Sequence, residues 1–207
     1  LALELKGSLN QNALEKSFKD LSERHEILRT VFKETESGEG YQEVLSHIDF
    51  FEVIDLSDCV YQQHEVEFYK SQEESWHFDL SEGPLCRVKL LILSKEHHIL
   101  LVTLHHIISD GWSMNILMDE ISLLYAHYAF GKNLDLSVLT LQYVDYSLWQ
   151  RQWLQGEVLE RQLDYWQRKL EGIPDVIALP TDYARPKLLS YEGGHYRFEI
   201  DEELRDG

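Results

Sequence analysis

Apolar and polar positions near the start of the chain predict a short strand, a helix and two more strands. Residues 1–6 alternate as a strand. Asn10 is a suitable N-cap for a helix with apolar residues at helical spacing through about Arg24. The apolar, β-branched run at 27–32 and the YQEVL segment at 41–45 then predict two strands.

The middle of the chain predicts a helix, a hairpin and a second helix. Residues 60–78 indicate a helix with a charged solvent side. Residues 84–93 and 98–106 predict the two strands of a hairpin. The second strand is nearly all apolar, which is typical of a strand buried on both faces. A helix is then expected from about Ser113 to Phe130.

The last third predicts a long helix and a linker. Apolar residues, among them Trp149 and Trp153, recur at helical spacing from about Tyr143 to Leu170. A proline-containing segment follows as a linker, and GGHYRFEI begins a new strand. Helices mixed with hairpins predict an α+β fold.

Composition excludes several classes of protein. The 207 residues are 43% hydrophobic, which predicts a globular protein with a real core. A net charge of −18 argues against a nucleic-acid partner and against binding to an anionic membrane. No apolar run reaches the roughly 18 residues of a membrane span, and no signal peptide is visible.

The two cysteines, Cys59 and Cys86, form no CxxC pair, so neither a zinc knuckle nor a disulfide framework is indicated. We expect reduced thiols in a cytoplasmic protein, with Cys86 in the core. Because the chain begins without Met in what looks like the middle of a strand, we expect it to be a piece of a longer polypeptide.

The segment TLHHIISDGWSM carries the candidate chemistry, with adjacent histidines His105 and His106 followed by Asp110 and Gly111. Histidine exchanges a proton near neutral pH. Neighbouring strand residues point to opposite faces, so one histidine is expected to face a cavity and the other to pack inward. Asp110 suits a turn and, if buried, an ion pair, while Gly111 permits close backbone approach. The pattern fits a general base on a loop fixed by a carboxylate.

Other interpretations of the pair stay open. Histidines at a strand end are often merely packed or exposed, and His97–His98 is a second pair with no Asp-Gly behind it, which indicates an ordinary hairpin turn. A metal site formed by His105, His106 and Asp110 is a further alternative. Joint ligation by adjacent strand residues is awkward, and no other ligand cluster is evident, so no metal is expected.

Three segments together resemble one family. RHEILRTVF at 24–32, HHIISDG at 105–111 and YVDYSLWQR at 143–151 occur in the order and spacing of the core motifs of condensation domains of nonribosomal peptide synthetases. EGPLCRV and LPTDYARP are also similar to that family. The resemblance covers nearly the whole chain.

This resemblance implies a fold and a domain organisation. Such domains have two lobes, each like chloramphenicol acetyltransferase, with a mixed sheet flanked by helices. Residues 1–172 are expected to be the N-terminal lobe without its first strand, and 173–207 the inter-lobe linker and the start of the C-terminal lobe. Later motifs would be missing, so the chain alone is expected to be inactive.

The resemblance also implies roles for residues. His106 is expected to be the catalytic histidine, His105 its support, Asp110 the carboxylate that fixes the loop, and Gly111 the residue that leaves room at the acyl site. Arg29 is the expected ion-pair partner of Asp110. The other motif positions are Arg24, which is the second choice as that partner, His25, Tyr143, Asp145 and Trp149.

The implied reaction is amide formation. The amine of an acceptor aminoacyl thioester attacks the carbonyl of a donor peptidyl thioester, with both substrates on the 4′-phosphopantetheine arms of peptidyl carrier domains. An adenylation domain is the expected neighbour, and no cofactor is expected on this domain itself. His106 would act as a general base or would position the amine.

Related activities remain alternatives. These are epimerisation of a carrier-bound residue, acyl transfer to an alcohol, and non-catalytic docking of carriers. His105 argues against cyclising domains, which have Asp there, and Arg24 argues against epimerisation domains, which usually have HHD in place of RHE. Joining of an L-donor to an L-acceptor is the expected subtype.

Overall fold

The computed structural model describes residues 1–175, 177, 179–184, 188, 198–202 and 204. The chain divides into two compact units, Leu1–Leu159 and Glu160–Gly207, and each is considered by itself. The strand predicted at GGHYRFEI lies mostly outside the described residues.

The first unit has six strands and four α-helices within the described residues. The strands are β1 (Ala2–Lys6), β2 (Thr30–Glu34), β3 (Gly40–Val44), β4 (Phe51–Asp55), β5 (Cys86–Ser94) and β6 (His97–Leu104). The helices are α1 (Gln11–Arg24), α2 (Gln62–Glu74), α3 (Gly111–Phe130) and α4 (Tyr143–Trp153), with a 3-10 turn at Glu26–Arg29. Helix α5 (Gly156–Leu170) runs into the second unit.

The main sheet is mixed. Its strand order is β1-β6-β5-β4, with β1 and β5 antiparallel to β6, and β4 parallel to β5. Strands β2 and β3 form a separate antiparallel hairpin. The predicted α+β class, with a mixed sheet flanked by helices, is confirmed.

Both faces of the central strands are covered, which explains their continuous apolar runs. On one face, Val88, Leu90, Leu100 and Val102 join a core with α1 and α3. On the other, Leu91 and Leu101 form a smaller cluster that includes Val66 of α2. Because successive strand residues point to opposite faces, a strand between two layers needs apolar residues at nearly every position.

Several local predictions are confirmed. Asn10 caps α1, since its Oδ1 accepts from the amide of Ala13 at 3.0 Å. The β5–β6 hairpin and α3 form as expected. Cys86 is buried in the core, and burial raises the pKa of its thiol to about 12, so this residue remains a neutral thiol.

Other predictions are wrong in part. The strand expected at 27–32 is a 3-10 turn followed by β2, and β4 was not predicted. The helix expected from Tyr143 to Leu170 breaks at Leu154–Gln155, just before Gly156 with a φ of +51°. A backbone with positive φ is left-handed and cannot continue an α-helix, so this glycine separates α4 from α5.

Candidate active site

The loop between β6 and α3 carries the histidine pair and is anchored at several points. Strand β6 ends at Leu104, so His105 and His106 lie just beyond it. The amide of His105 donates to the carbonyl of Leu85 at 2.9 Å, and the amide of Ile108 donates to the carbonyl of His105 at 3.1 Å. Ile108 is buried in the core. The loop is thus a short turn held by backbone hydrogen bonds and one buried side chain.

His105 is half-buried and packed. Its ring makes an edge contact with Phe78, at 5.6 Å between centroids, and its Nδ1 accepts from the amide of Ile107 at 3.0 Å. Because Nδ1 accepts there, the neutral ring carries its proton on Nε2. This histidine fixes the loop backbone.

His106 is exposed and lies in a cavity of about 510 Å³. The walls of this cavity come from the end of β6 and the first turns of α3, and they include Asp110, Gly111 and Met114. The Nδ1 of His106 lies 3.1 Å from the carbonyl oxygen of Ser109. A carbonyl only accepts, so Nδ1 carries the proton of the neutral ring, and Nε2 keeps a lone pair. The ring is therefore oriented with a basic nitrogen available to a substrate.

The exposed and packed positions of the two histidines agree with the prediction, but the expected cause is wrong. Strand alternation does not apply, because β6 stops at Leu104 and His106 lies in a turn. The turn itself directs one ring outward and leaves the other against Phe78.

Asp110 is the N-cap of α3. Its Oδ1 accepts from the amide of Ser113 at 2.8 Å and from the hydroxyl of Ser113 at 2.6 Å, while its own amide donates to that hydroxyl at 3.3 Å. The hydrogen bonds from Ser113 hold the pKa of Asp110 below its ordinary value, and His106 adds a smaller favourable charge effect. The carboxylate thus fixes the start of α3 one turn after the histidines.

The predicted ion pair between Arg29 and Asp110 is wrong. Asp110 is exposed and has Ser113 as its partner. Arg29 donates to the carbonyls of Ser22 and Leu45 and lies 3.7 Å from Glu26. An exposed carboxylate that caps a helix is already satisfied by amide and hydroxyl donors and by water, so it has no need of a buried cation.

Arg24, the second choice for that partner, binds elsewhere as well. Its Nε donates to Glu120 of α3 at 3.0 Å, and Nε2 of His25 lies 2.6 Å from the same carboxylate oxygen. Gln142 links this cluster to the start of α4, because it donates to the carbonyl of Arg24 at 3.0 Å and accepts from the amide of Glu26 at 3.2 Å. The RHE segment therefore connects α1, α3 and α4.

Sequence reasoning missed Glu120 and Gln142. Gln142 immediately precedes the motif that begins at Tyr143, and Glu120 lies further along α3 from Gly111. Neither residue belongs to a local pattern that marks it. The only signal was the positive charge of Arg24, which needed an anionic partner at some distance along the chain.

The motif positions on α4 lie on an exposed face. Tyr143 contacts Tyr146 at 6.0 Å between ring centroids, Tyr146 contacts Trp149 at 5.7 Å, and Trp149 stacks on Trp153 at 5.5 Å. Asp145 accepts from the amide of Gln142 at 2.8 Å and so caps α4. These contacts are made within α4 and its cap, and not with the histidine loop.

Gly111 is the first residue of α3 and lines the His106 cavity. A Cβ added to it would meet no atom of the described residues within 4 Å. Packing in this part of the chain therefore does not require glycine, and the space is open.

Within the described residues, no group of three or more His, Cys, Asp or Glu side chains is arranged to hold a metal ion. In the same residues, no helix is both long and apolar enough to cross a membrane.

The family follows from comparison with known proteins. The model of the condensation domain family matches residues 1–207. The chain belongs to this family. It is 39% identical over 205 residues to malpinin synthetase of Mortierella alpina, and 39% identical over 203 residues to gramicidin S synthase 2 of Aneurinibacillus migulanus. Those matches cover 99% and 98% of this condensation-family chain but only 3% and 4% of the two relatives.

Solved structures of condensation-family relatives share the fold. The X-domain from teicoplanin biosynthesis aligns with a TM-score of 0.76 and 29% identity, over 89% of this chain and 41% of that one. The epimerization domain from the third module of tyrocidine synthetase B aligns with a TM-score of 0.72 and 27% identity, over 89% of this chain and 42% of that one. The predicted chloramphenicol acetyltransferase-like fold is confirmed.

Proposed function

We propose that this chain contributes His106 to the peptide-bond-forming site of a nonribosomal peptide synthetase. The observation that carries the proposal is the geometry of His106 in a chain of the condensation family. Its imidazole is exposed, Nδ1–H is held by the carbonyl of Ser109, and Nε2 keeps a lone pair. The condensation family is a class of acyl-transfer enzymes, and the likeness to malpinin synthetase and gramicidin S synthase 2 supports a role in synthesis.

The proposed reaction joins two carrier-bound residues. The α-amine of the acceptor attacks the thioester carbonyl of the donor, so a C–N bond forms and the C–S bond breaks. Nε2 of His106 accepts a proton from the attacking amine and passes it to the departing thiolate, which leaves as the free thiol of the donor arm. Proton transfer of this kind contributes about 10²–10⁴-fold to the rate.

Positioning contributes alongside proton transfer. Two substrates held on tethered arms gain an effective molarity worth roughly 7–11 kcal/mol. His105 and Asp110 would support the positioning of the substrates, because they fix the turn before and after His106. In this proposal the 4′-phosphopantetheine arms belong to two peptidyl carrier domains, the amino acids are loaded by an adenylation domain, and the protein is cytoplasmic.

Epimerisation is a second candidate, favoured by the likeness to the epimerization domain of tyrocidine synthetase B. Such a reaction would remove and return the α-proton of one carrier-bound residue, with no new C–N bond. The same histidine geometry would suit that proton transfer, so the two candidates are separated by the product.

The test uses the full-length protein that contains this chain, with two loaded carrier domains and mass spectrometry of the carrier-bound species. The expected result is a dipeptide on the acceptor carrier, its loss in His106→Ala, and intact loading in both. An epimerised aminoacyl thioester without dipeptide would move the assignment to the second candidate. Dipeptide at the wild-type rate with His106→Ala would reject the role of His106.

A further inference from the structure

A second cavity lies on the other side of the first turn of α3. It has a volume of about 140 Å³ and lies between the end of α1, the 3-10 turn and the loop that carries the histidines. Its apolar walls include Ile27, Leu28, Leu104, Ile108, Met114 and Leu117. It is distinct from the His106 cavity, and the proposed chemistry makes no use of it.

The polar groups at this second cavity already have partners. His25 binds Glu120 at 2.6 Å, the hydroxyl of Ser113 donates to Asp110 at 2.6 Å, and the hydroxyl of Ser109 donates to the carbonyl of His105 at 3.4 Å. A polar occupant would therefore lose hydrogen bonds to water and find few replacements. The cavity is suited to an apolar group.

The two cavities share a wall. Leu104, Ser109 and Met114 line both the second cavity and the cavity of His106. A group attached to an atom that reacts at Nε2 of His106 would reach the apolar space across this wall. Met114 has the long, flexible side chain of the three, so it sets how easily the wall opens.

The volume fits a small hydrocarbon group. A cavity of about 150 Å³ lined by aliphatic side chains is large enough for benzene. The second cavity is therefore large enough for the side chain of a leucine but leaves no room for a much larger group. A glycine or alanine side chain would leave most of it unfilled.

We propose that the second cavity is a subsite for the apolar side chain of one of the two residues being joined, and that Met114 and Ile27 determine which side chains it accepts. This inference rests on the proposed peptide-bond formation. The ligand chemistry is an aliphatic side chain next to the reacting thioester or amine, and its source is either the donor or the acceptor residue.

The test measures dipeptide formation by the full-length protein with chemically loaded carriers. One carrier bears glycine while the other bears alanine, leucine or phenylalanine, and the two carriers then exchange roles. If the subsite serves the donor, wild-type protein should prefer a leucyl over an alanyl donor by about tenfold or more, with no such preference at the acceptor. The reverse pattern would assign the cavity to the acceptor residue.

Two variants act on the cavity in opposite directions. Ile27→Phe fills it from the wall away from His106, and should lower the leucyl rate about tenfold while the alanyl rate is kept. Met114→Ala widens the shared wall and should raise the phenylalanyl-to-leucyl ratio. The matched control is Met118→Ala, because Met118 lines the His106 cavity and not the apolar one. Whatever its effect on rate, this control should leave the ratios unchanged.

The outcomes separate this inference from the proposed function. Dipeptide formation whose side-chain ratios are the same in wild type, Met114→Ala and Met118→Ala would overturn the subsite and leave the function standing. If Ile27→Phe abolishes every reaction through misfolding, the Met114→Ala ratios decide. Absence of dipeptide from the wild-type protein with any loaded pair would overturn the proposed function itself.

Discussion

A His-His pair lies at each end of β6, and the two pairs differ in how their side chains are placed. His97 and His98 begin the strand, where alternation sends His98 into the core and leaves His97 on the surface beside Glu4 at 2.8 Å. His105 and His106 follow the strand, where the turn leaves His106 exposed in a cavity, with Nδ1 held by the carbonyl of Ser109 and a lone pair on Nε2. What the backbone does next, more than the pair itself, decides whether a histidine can do chemistry.

Replacing one exposed histidine at each end gives the largest expected difference. His106→Ala should slow peptide-bond formation about 10²–10⁴-fold, because it removes the proposed proton acceptor. His97→Ala should leave the rate unchanged, since His97 is bonded to Glu4 on the surface, at the opposite end of β6 from the candidate site. Single-turnover rates in the full-length protein with both carriers loaded measure this. Equal losses of rate from the two variants would mean that His106 has no special role in the reaction compared with His97.

The end of β6 near the second pair is held by a charged cluster on the α2 side of the sheet. Glu73 is buried and accepts two hydrogen bonds from Arg87, at 3.0 and 3.2 Å. The ammonium of Lys89 forms an ion pair with the same carboxylate at 3.3 Å. Burial alone would raise the pKa of Glu73, but hydrogen bonds from Arg87, Thr103 and Lys89 outweigh it and hold that pKa below its ordinary value. Thr103 is two residues before His105, so this cluster supports the end of β6 that carries the candidate site.

Glu73→Gln should therefore destabilise the fold strongly. Removing one partner of a buried ion pair costs about 3–5 kcal/mol, because the remaining charges lose their compensation. The adjacent Glu74 is exposed, so Glu74→Gln is the matched control and should change the free energy of unfolding little. Urea denaturation compares the two. A Glu73→Gln protein that unfolds at the control's midpoint would show that the cluster is not what holds this end.

The sequence predicted those elements of the fold that depend on a local pattern of residues. Asn10 and the β5–β6 hairpin follow from spacing along the chain, and their contacts form as expected. Strand β4 was missed because it pairs in parallel with β5, some thirty residues later, and such a partner leaves no local signature. The long helix was overextended because the periodic stripe continues across Gly156, whose conformation interrupts it.

For the candidate site, the sequence allowed residues to be named, but it did not predict all of their contacts. His105, His106 and Asp110 were identified from the motif, but the expected partner of Asp110 was wrong. An ion pair would have required a buried Asp110, but Asp110 is exposed, and of the two apolar residues Ile107 and Ile108 in its loop Ile108 is buried and Ile107 is not. The sequence held a better signal, since Ser113 three residues after Asp110 is the spacing of a reciprocal helix cap.

The buried histidine of the first pair predicts a pH effect. Burial lowers the pKa of His98 from its ordinary 6.5, and its Nδ1 has no hydrogen-bond partner among the described residues. The unfolded chain therefore binds a proton at a higher pH than the folded one, so stability is full above pH 6.5 and is lost as the pH falls below that value. His98→Leu should remove this part of the loss.

Denaturant midpoints between pH 7 and pH 5 measure this, at roughly neutral to mildly acidic conditions where few carboxylates titrate. His97→Leu is the control at the same end of β6, because His97 is on the surface. The expected result is a flatter profile for His98→Leu than for wild type or the control. Three parallel profiles would contradict the assignment of this pH dependence to His98.

The smallest effect is expected at the helix cap that follows the second pair. Asp110 is exposed and bonds to Ser113 within one helical turn, so Asp110→Ala removes a cap and not a buried ion pair. Loss of an N-cap of this kind lowers the melting temperature by about 2–4 °C in a domain of this size. Asp110→Asn keeps an oxygen for the amide of Ser113 and should recover most of that change.

A double variant tests whether Asp110 acts only as this cap. Because no buried charge is left behind, Arg29→Ala combined with Asp110→Ala should give the sum of the two single effects on the melting temperature. If the double variant loses clearly less melting temperature than the two single variants lose together, the two side chains interact, and the predicted ion pair would be restored. Thermal unfolding of the wild type, the two single variants and the double variant decides between the two. If Asp110 only caps α3, Asp110→Ala should also lower the rate of peptide-bond formation less than His106→Ala does. The reason is that Asp110 holds the turn and does not contact the reacting atoms.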